Sequence, residues 1–242
     1  MRYLTAHLYR RLMTRGRIIG LTALASVPAL VFVLIGFDEQ PDQIRNLYVE
    51  TVTSAGYTFA IAALVVAGAT LREERDGGTL PYIYMRPVSR SSIAVSSLVA
   101  GMGGALTIGL LGWIATVLGG LLIGAGPSVT LPGLGLFAST ATGYGAIFVP
   151  LGYLFSRSLL IGLGYIIVLE TILAFAITGL AQLSIWRIGL SIYGSYEEFG
   201  VGARESLGPI AAGAGGGLAK LGIVLVLGWG VLTWALRRRD AL

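Results

Sequence analysis

The segment IAVSSLVAGMGGALTIGLLGWIATVLGGLLI, residues Ile93–Ile123, contains no charged residue. A helix that crosses a membrane needs about 20 mainly apolar residues. Because this segment is longer than that, we expect a membrane-spanning helix that either tilts or breaks near Gly119-Gly120. The alternation of polar and apolar residues that is typical of membrane barrel strands is absent. The segment therefore indicates an all-α integral membrane protein.

Five further apolar runs lie on either side of this segment. They are Ile18–Phe37, Thr53–Leu71, Leu134–Phe155, Leu159–Leu183 and Leu218–Leu236. Across its 242 residues the chain is 55% apolar and only 12% charged, whereas soluble domains carry about 25% charged residues. The mean hydropathy of +0.81 agrees with this comparison. The sequence therefore predicts one transmembrane domain over residues 1–242 with six spans, in which residues 156–158 form a tight hairpin.

The basic residues predict how these spans are oriented. With six spans both termini lie on one side, and that side carries thirteen of the 17 Lys and Arg residues. They are Arg2, Arg10, Arg11, Arg15, Arg17, Arg72, Arg75, Arg86, Arg90, Arg157, Arg237, Arg238 and Arg239. Cytoplasmic loops are enriched in Lys and Arg, so we expect both termini to be inside and the chain to lie in the cytoplasmic (inner) membrane. The formal charge of +5 is then a topology signal and not a sign of nucleic-acid binding.

Several kinds of chemistry are improbable for this chain. It has no cysteine, and His7 is its one histidine, which argues against thiol, histidine or thiolate-metal centres. A phosphate-binding loop needs a lysine directly after a glycine, but the one lysine, Lys220, follows Ala219. We therefore expect a protein that is not an enzyme and that holds no metal or cofactor of its own.

Two segments outside the spans have patterns of their own. Residues 1–17 place Leu4, Leu8 and Leu12 on one face, which predicts an amphipathic helix in the cytoplasmic interface. In the alternative, the arginines of this segment only orient the first span. Residues 184–217 are expected to form short helices at the outer leaflet, or else a plain loop. This segment has Trp186, Tyr193, Tyr196 and Phe199 as headgroup anchors and Gly213–Gly217 as a flexible entry to the last span.

The segment 72–92, between the second and third spans, predicts a short helix held rigidly between two spans. Residues 73–76 extend the second span into water, and Gly77-Gly78 ends it by allowing a positive φ. Thr79 is the expected N-cap, and Pro81 suits the first turn. An apolar stripe of Leu80, Ile83 and Tyr84 follows, Pro87 ends the short helix, and Ser91 or Ser92 is expected to cap the third span.

This segment resembles the signature of type-2 ABC exporter permeases. The string Glu74-Arg75-Asp76-Gly77-Gly78-Thr79-Leu80, then Ile83, then Pro87-Val88-Ser89-Arg90 has the order and spacing of the family motif. The tail Arg237-Arg238-Arg239-Asp240-Ala241-Leu242 is similar to the basic ending of that family. The residues that the resemblance assigns to coupling with an ATPase are Glu74, Arg75, Asp76, Gly78, Thr79, Leu80, Ile83, Tyr84, Pro87, Ser89 and Arg90.

The resemblance also implies partners and a mechanism. The segment 72–92 is then a coupling segment whose short helix docks on a separate ABC ATPase, with two ATPase copies that carry ATP and Mg. A second permease subunit, identical or paralogous, completes the transporter, and membrane lipid surrounds it. Because no large soluble domain is present and the spans are apolar and glycine-rich, we expect a lipophilic or amphiphilic substrate. The resemblance alone implies export as the direction.

Glu170, near the middle of the fifth predicted span, leaves two interpretations open. An ionisable residue inside a membrane is costly and usually faces the protein interior or a wet cavity. Glu170 either contacts the substrate or a proton in the translocation path, or is a protonated carboxyl group bonded to a Ser or Thr of a neighbouring helix.

Three rival functions remain at this stage. An ion-gradient-driven secondary transporter should show paired broken helices and internal repeats, and no convincing repeat is present. The second rival is an ATPase-binding membrane scaffold, or a mechanical transmitter that moves no solute. Only a transport assay distinguishes it from an exporter. An intramembrane enzyme needs a polar constellation inside the spans, and one glutamate does not provide it.

Overall fold

The structure, a computed structural model, describes residues 2–38, 40, 43–85, 88–173, 182–195 and 213–238. Every regular element within these ranges is a helix. In chain order the helices are α1 (Arg2–Leu12), α2 (Arg15–Ala25), α3 (Val27–Gly36), α4 (Ile44–Ala55), α5 (Tyr57–Asp76), α6 (Leu80–Tyr84), α7 (Arg90–Leu122), α8 (Pro127–Thr130), α9 (Gly133–Leu154), α10 (Ser158–Gly164), a π-helix (Tyr165–Leu173), α11 (Ile185–Tyr193) and α12 (Gly213–Arg238).

Three helical stretches are each long and apolar enough to cross a membrane. They are α7, residues Ser128–Leu154 and α12, and the number rises to five if the bent pairs α2–α3 and α4–α5 each count as one span. The chain is thus a multi-pass helical membrane protein. Helix α7 runs unbroken through Gly119-Gly120, so the break considered for that position does not occur. Residues 174–181 of the fifth predicted span lie outside the described ranges.

The first two predicted spans are bent, which the sequence analysis did not anticipate. The axes of α2 and α3 differ by 41°, and those of α4 and α5 also differ by 41°. The first bend falls at Ser26, two residues before Pro28 in the first turn of α3. Because Pro28 has no N–H to donate and its ring crowds the carbonyl four residues earlier, a straight helix cannot continue through this position.

The centre of the bundle is the contact between α5 and α9. The backbones meet at Gly68 and Gly152, where a methyl group on Gly152 would overlap the carbonyl oxygen of Gly68. Gly228 of α12 lies equally close to the carbonyl oxygen of Ala146. Small residues at such crossings let helix backbones approach, which is how membrane helices gain packing energy without a hydrophobic driving force between them.

The two ends of the bundle differ in charge. We call the end that carries Arg11, Arg17, Arg72, Arg75 and Arg238 the arginine-rich end. Helix α12 starts beside α11 and then packs along α9, so its terminal Arg237-Arg238 points toward the same end as the last turn of α9. The opposite end carries the end of α3, the start of α4, the end of α7 and α11.

The N-terminal helix is shorter than the predicted segment 1–17. It ends at Leu12, and Arg15 and Arg17 belong to the first turn of α2. Leu8 and Leu12 are fully buried, and Tyr9 shares a hydrogen bond of 2.8 Å with Thr107 of α7. The apolar face of α1 therefore packs on the protein itself, where the amphipathic pattern alone had suggested the membrane interface.

The predicted outer segment also differs from expectation. Residues 185–193 form α11, and all nine are buried, so the plain-loop alternative is wrong for this part. Trp186 and Tyr193 pack inside the protein and are not headgroup anchors, whereas Tyr196 and Phe199 lie outside the described residues. Gly213–Gly217 forms the first turns of α12 and not a flexible entry.

Candidate functional site at the arginine-rich end

The segment 72–92 begins with a well-defined helix end. Gly78 has a φ of +67°, which a residue without a side chain adopts at little cost. The N–H of Thr79 donates to the carbonyl of Glu74 at 2.9 Å, and the N–H of Gly78 donates to that of Arg75 at 3.1 Å. These two bonds are the Schellman pattern that closes a helix. They turn the chain sharply, so α6 starts at Leu80.

One capping prediction is wrong. Thr79 is the N-cap residue of α6, as expected, although its side chain makes no cap bond and its hydroxyl donates to the Glu74 carboxylate. The cap of α7 is Ser89, whose Oγ accepts from the N–H of Ser92 at 3.2 Å, and neither Ser91 nor Ser92 takes that role. Sequence alone ranks these small polar residues almost equally as caps, so their neighbours in space decide which one is used.

Glu74 is the hub of the site. Its side chain is 1% exposed, whereas the sequence analysis placed residues 73–76 in water. Nη1 of Arg11 on α1 donates to Oε1 of Glu74 at 2.7 Å, and Nε2 of His7 lies 3.7 Å from the same oxygen. With the Thr79 hydroxyl, these groups join α1, α5 and the start of α6. A buried carboxylate needs partners of this kind to offset its loss of hydration.

The neighbouring charges of α5 attach it to three further helices. Arg17 of α2 pairs with Glu73. Nη1 of Arg75 donates to the carbonyl of Tyr153 at 2.8 Å, in the last turn of α9, where helix carbonyls lack partners. Nη1 of Arg72 lies 3.4 Å from the Ser158 hydroxyl at the start of α10. The end of α5 is therefore fixed to α1, α2, α9 and α10 at once.

Helix α6 presents a different face from the predicted one. Leu80 and Ile83 are 9% and 8% exposed and pack on the bundle, so they are not available for a partner in this conformation. Tyr84 shares a 2.9 Å hydrogen bond with the hydroxyl of Tyr153, and the Arg90 guanidinium lies 4.1 Å from the centre of the Tyr84 ring. The outward side chains are Tyr82 and Met85, at 66% and 71% exposed.

A cleft of about 530 Å³ separates α1 from α6. Its lining includes Tyr3 and His7 of α1, Tyr82 of α6, and the ion pair of partly exposed Arg11 and buried Glu74. The floor of the cleft is thus charged, and two tyrosines lie at its sides. Pro87 of the predicted coupling set lies outside the described residues.

We expect the Ser89→Ala variant to loosen the start of α7 by about 1 kcal/mol, because the N–H of Ser92 loses its acceptor. Hydrogen exchange of the amides of residues 90–93 measures this loss. Ser91→Ala is the matched control, because the Ser91 side chain caps no backbone group in the described structure. Equal exchange in the two variants would contradict the capping role of Ser89.

Sequence reasoning missed three contributors to the site: Arg11, His7 and Tyr153. His7 and Arg11 are four residues apart, so they share one face of α1, and that spacing was the available signal. This signal was missed because the arginines near the N-terminus also belong to the set of basic residues that predicts the orientation of the spans. Tyr153 contributes a backbone carbonyl and a hydroxyl from the end of an apolar span, where no sequence pattern marks it.

Glu170, the second predicted site, lies far from this cluster along the chain. It is fully buried in the π-helix and accepts hydrogen bonds from Ser184, Tyr165 and the start of α11. Ser184 was not singled out from the sequence. Buried Arg187 of α11 lies close enough to interact electrostatically with Glu170.

These features define a class of protein: a multi-pass helical membrane protein with a rigid, charged segment exposed at one end. A family model described as ABC-2 family transporter protein matches residues 13–196, well over half of the chain, and the motif of segment 72–92 lies inside this match. The chain therefore belongs to the ABC-2 transporter family, as the motif predicted, and is the membrane component of an ABC exporter that works with an ABC ATPase subunit. No curated protein matches the chain significantly.

Proposed function

We propose that this chain is the transmembrane subunit of an ATP-driven exporter and that α6 is its coupling helix. The observation that carries this proposal is the anchoring of segment 72–92. Glu73, Glu74 and Arg75 attach the end of α5 to helices α1, α2 and α9, while Tyr82 and Met85 of α6 face outward. A rigid element with an exposed face is what a mechanical connection to a partner requires.

The orientation of the subunit follows from its basic residues. We assign the arginine-rich end to the cytoplasm, because Lys and Arg are enriched in cytoplasmic loops. In this arrangement α2–α3, α4–α5, α7, α9, the segment that starts with α10, and α12 are six spans in the cytoplasmic membrane, with both termini inside. Segment 72–92 then faces the compartment that contains ATP.

The proposed assembly has two permease subunits and two ATPase subunits. ATP and Mg bind to the ATPases, and this chain carries neither. When the ATPases close on ATP, they displace α6, and the bonds from Glu74 and Arg75 pass that displacement to α1, α5 and α9. The glycine-rich, apolar spans favour a lipophilic or amphiphilic substrate.

The outward face of α6 gives the test of this proposal. We expect a Tyr82→Ala, Met85→Ala double variant to bind the ATPase at least about 30-fold more weakly, because an aromatic anchor such as Tyr82 alone contributes about 2 kcal/mol at an interface. The measurement is recovery of a P-loop ATPase with the tagged protein from its native membranes in mild detergent, quantified by mass spectrometry.

The control is Phe155→Ala, which removes an exposed aromatic side chain in the turn after α9 at the same end of the bundle. It should recover as much ATPase as the wild type. Ile83→Asp is a poorer probe, because Ile83 is buried and the change disturbs the permease itself. If no ATPase is recovered with abundant, folded wild type, the proposal fails and an ion-gradient-driven transporter becomes the better hypothesis.

A further inference from the structure

Glu170 lies in a helix of unusual geometry. Residues Tyr165–Leu173 form a π-helix, in which hydrogen bonds link residues five apart and which frequently marks functional sites. The widened turn brings the hydroxyl of Tyr165 to 2.9 Å from Oε1 of Glu170, five residues later. The same spacing recurs between the hydroxyl of Thr171 and the carbonyl of Ile166. The π-helix thus presents the Glu170 side chain to one side, toward α11.

The Glu170 carboxyl group binds the beginning of α11. Oε1 accepts from the N–H of Ile185 at 2.9 Å, and Oε2 accepts from the Ser184 hydroxyl and from the N–H of Trp186 at 3.3 Å. The first N–H groups of a helix have no partner within it, and a carboxylate complements their partial positive charge. Ser184 also caps α11 by accepting from the N–H of Arg187. Glu170 therefore completes a helix start that lies buried between spans.

Trp186, the second residue of α11, connects this helix to the bend in the second span. Its ring occupies the space beside Gly56, so a methyl group at position 56 would overlap it. The ring centre also lies 5.4 Å from that of Tyr57, the first residue of α5. Gly56 is the joint between α4 and α5, where the chain bends by 41°. At this joint the indole ring fills the space that a side chain at position 56 would occupy, so the contact requires glycine.

We propose that Glu170 and Trp186 form a latch that holds α11 against the joint of the second span, with Glu170 as a positioning residue for transport. Glu170 fixes the start of α11 from the π-helix, and Trp186 fixes it to Gly56 and Tyr57. Helix α5 runs from Tyr57 to Asp76 without a break, so its two ends move together. A displacement of the arginine-rich end shifts Tyr57 against Trp186 and opens the latch.

The second interpretation that the sequence left open for Glu170 expected a hydrogen bond to a Ser or Thr of a neighbouring helix, and the Ser184 hydroxyl makes this bond. The latch adds a role for that bond: it positions α11 and involves no direct contact with a substrate. Its existence does not depend on ATP as the energy source. Only the opening of the latch through α5 rests on the proposed function. The experiment below tests the latch and its opening separately.

The absence of cysteine from the sequence allows a direct test. Ser191 is a buried residue of α11 outside the latch, and its replacement by cysteine gives a single reactive thiol with little change in shape. In the Ser191→Cys parent, reconstituted in lipid nanodiscs, we expect slow reaction with a water-soluble maleimide. We then add Glu170→Gln. The amide side chain has one acceptor oxygen and cannot bind all the groups that donate to the Glu170 carboxyl group, so we expect the labelling rate to rise at least about tenfold.

Three further variants make the interpretation specific. Trp186→Ala should also raise labelling, whereas Trp186→Phe, which keeps a ring beside Gly56, should stay within about threefold of the parent. Glu50→Gln, the same chemical change at an exposed position of α4, should leave the rate unchanged. Ser184→Ala removes one donor to Glu170 and should give an intermediate rate, and it remains informative if Glu170→Gln does not fold.

The outcomes separate the latch from the proposed function. With the ATPase bound, we expect ATP and Mg to accelerate labelling of the parent but not of the Glu170→Gln variant, whose latch is already open. A purely structural role of Glu170 would lower the melting temperature without this change in nucleotide response. If the latch variants label faster but ATP has no effect on the parent, the latch stands and its opening by the ATPase through α5 is wrong, whereas failure of the proposed function itself appears as no ATPase recovered with the wild type. If folded Glu170→Gln, Trp186→Ala and Ser184→Ala all label at the parent rate, the latch is wrong.

Discussion

Replacing Glu74 with alanine is expected to disconnect α1 and α6 from the end of α5. The variant loses the bonds to Arg11 and Thr79, and bonds to a charged group contribute about 1.5–3 kcal/mol each. Because Arg11 is partly exposed, its bond should contribute less than this range, so we expect a total of about 2 kcal/mol and a melting temperature lower by about 4–8 °C. Substrate-dependent ATP hydrolysis by the reconstituted complex should fall at least tenfold.

Asp76→Ala is the matched control for this prediction. Asp76 lies two residues further along α5, is exposed, and pairs with Arg75 at the surface, where such pairs contribute about 0–1 kcal/mol. Scanning fluorimetry and ATPase assays on both variants measure the difference. If Glu74→Ala behaved like Asp76→Ala in both assays, Glu74 would not be the hub that its burial indicates.

The Gly152→Ala variant is expected to force α5 and α9 apart and to destabilise the protein strongly. The added methyl group meets the carbonyl oxygen of Gly68, a backbone atom that cannot rotate away. Overpacking a close contact costs about 1–3 kcal/mol when side chains can adjust. Since only a shift of one helix relieves this contact, we expect at least about 3 kcal/mol and a melting temperature lower by about 6–12 °C.

Gly222→Ala provides the comparison within another span. No atom lies within 4 Å of the position that its methyl group would occupy, so only the higher helix propensity of alanine acts there. This variant should elute as a single peak in size-exclusion chromatography and melt at or slightly above the wild-type temperature. Wild-type behaviour of Gly152→Ala would show that α5 and α9 are further apart than the structure places them.

The parts of the fold that the sequence predicted are those that depend on local physics. An uncharged run such as Ile93–Ile123 has few alternatives to a membrane helix, and α7 covers nearly all of it. Gly78 was expected to permit a positive φ, and it has one. Both features follow from the chemistry of residues that are adjacent in the chain.

The features that the sequence did not predict depend on contacts between distant residues. The indole ring of Trp186, which lies 130 positions later, fills the space beside Gly56 at the bend. The hydroxyl of Thr79 donates to the Glu74 carboxylate and makes no cap bond to α6. The apolar stripe of α6 is equally compatible with a face that packs on the bundle and with a face that binds a partner. Only the position of α9 and its Tyr153 shows that Leu80 and Ile83 point inward.

The π-helix gives the chain an unusual sensitivity to its own length. Its hydrogen bonds span five residues where an α-helix spans four, so deletion of one residue between Tyr165 and Glu170 allows ordinary helical geometry and keeps the backbone bonded. Such a deletion also rotates the following residues by about 100° around the helix axis and moves them about 1.5 Å along it. Glu170 would then face away from α11 in a segment that still folds. Related proteins that lack one residue here are therefore expected to have lost both the carboxyl group and its partner serine, since neither has a use without the other.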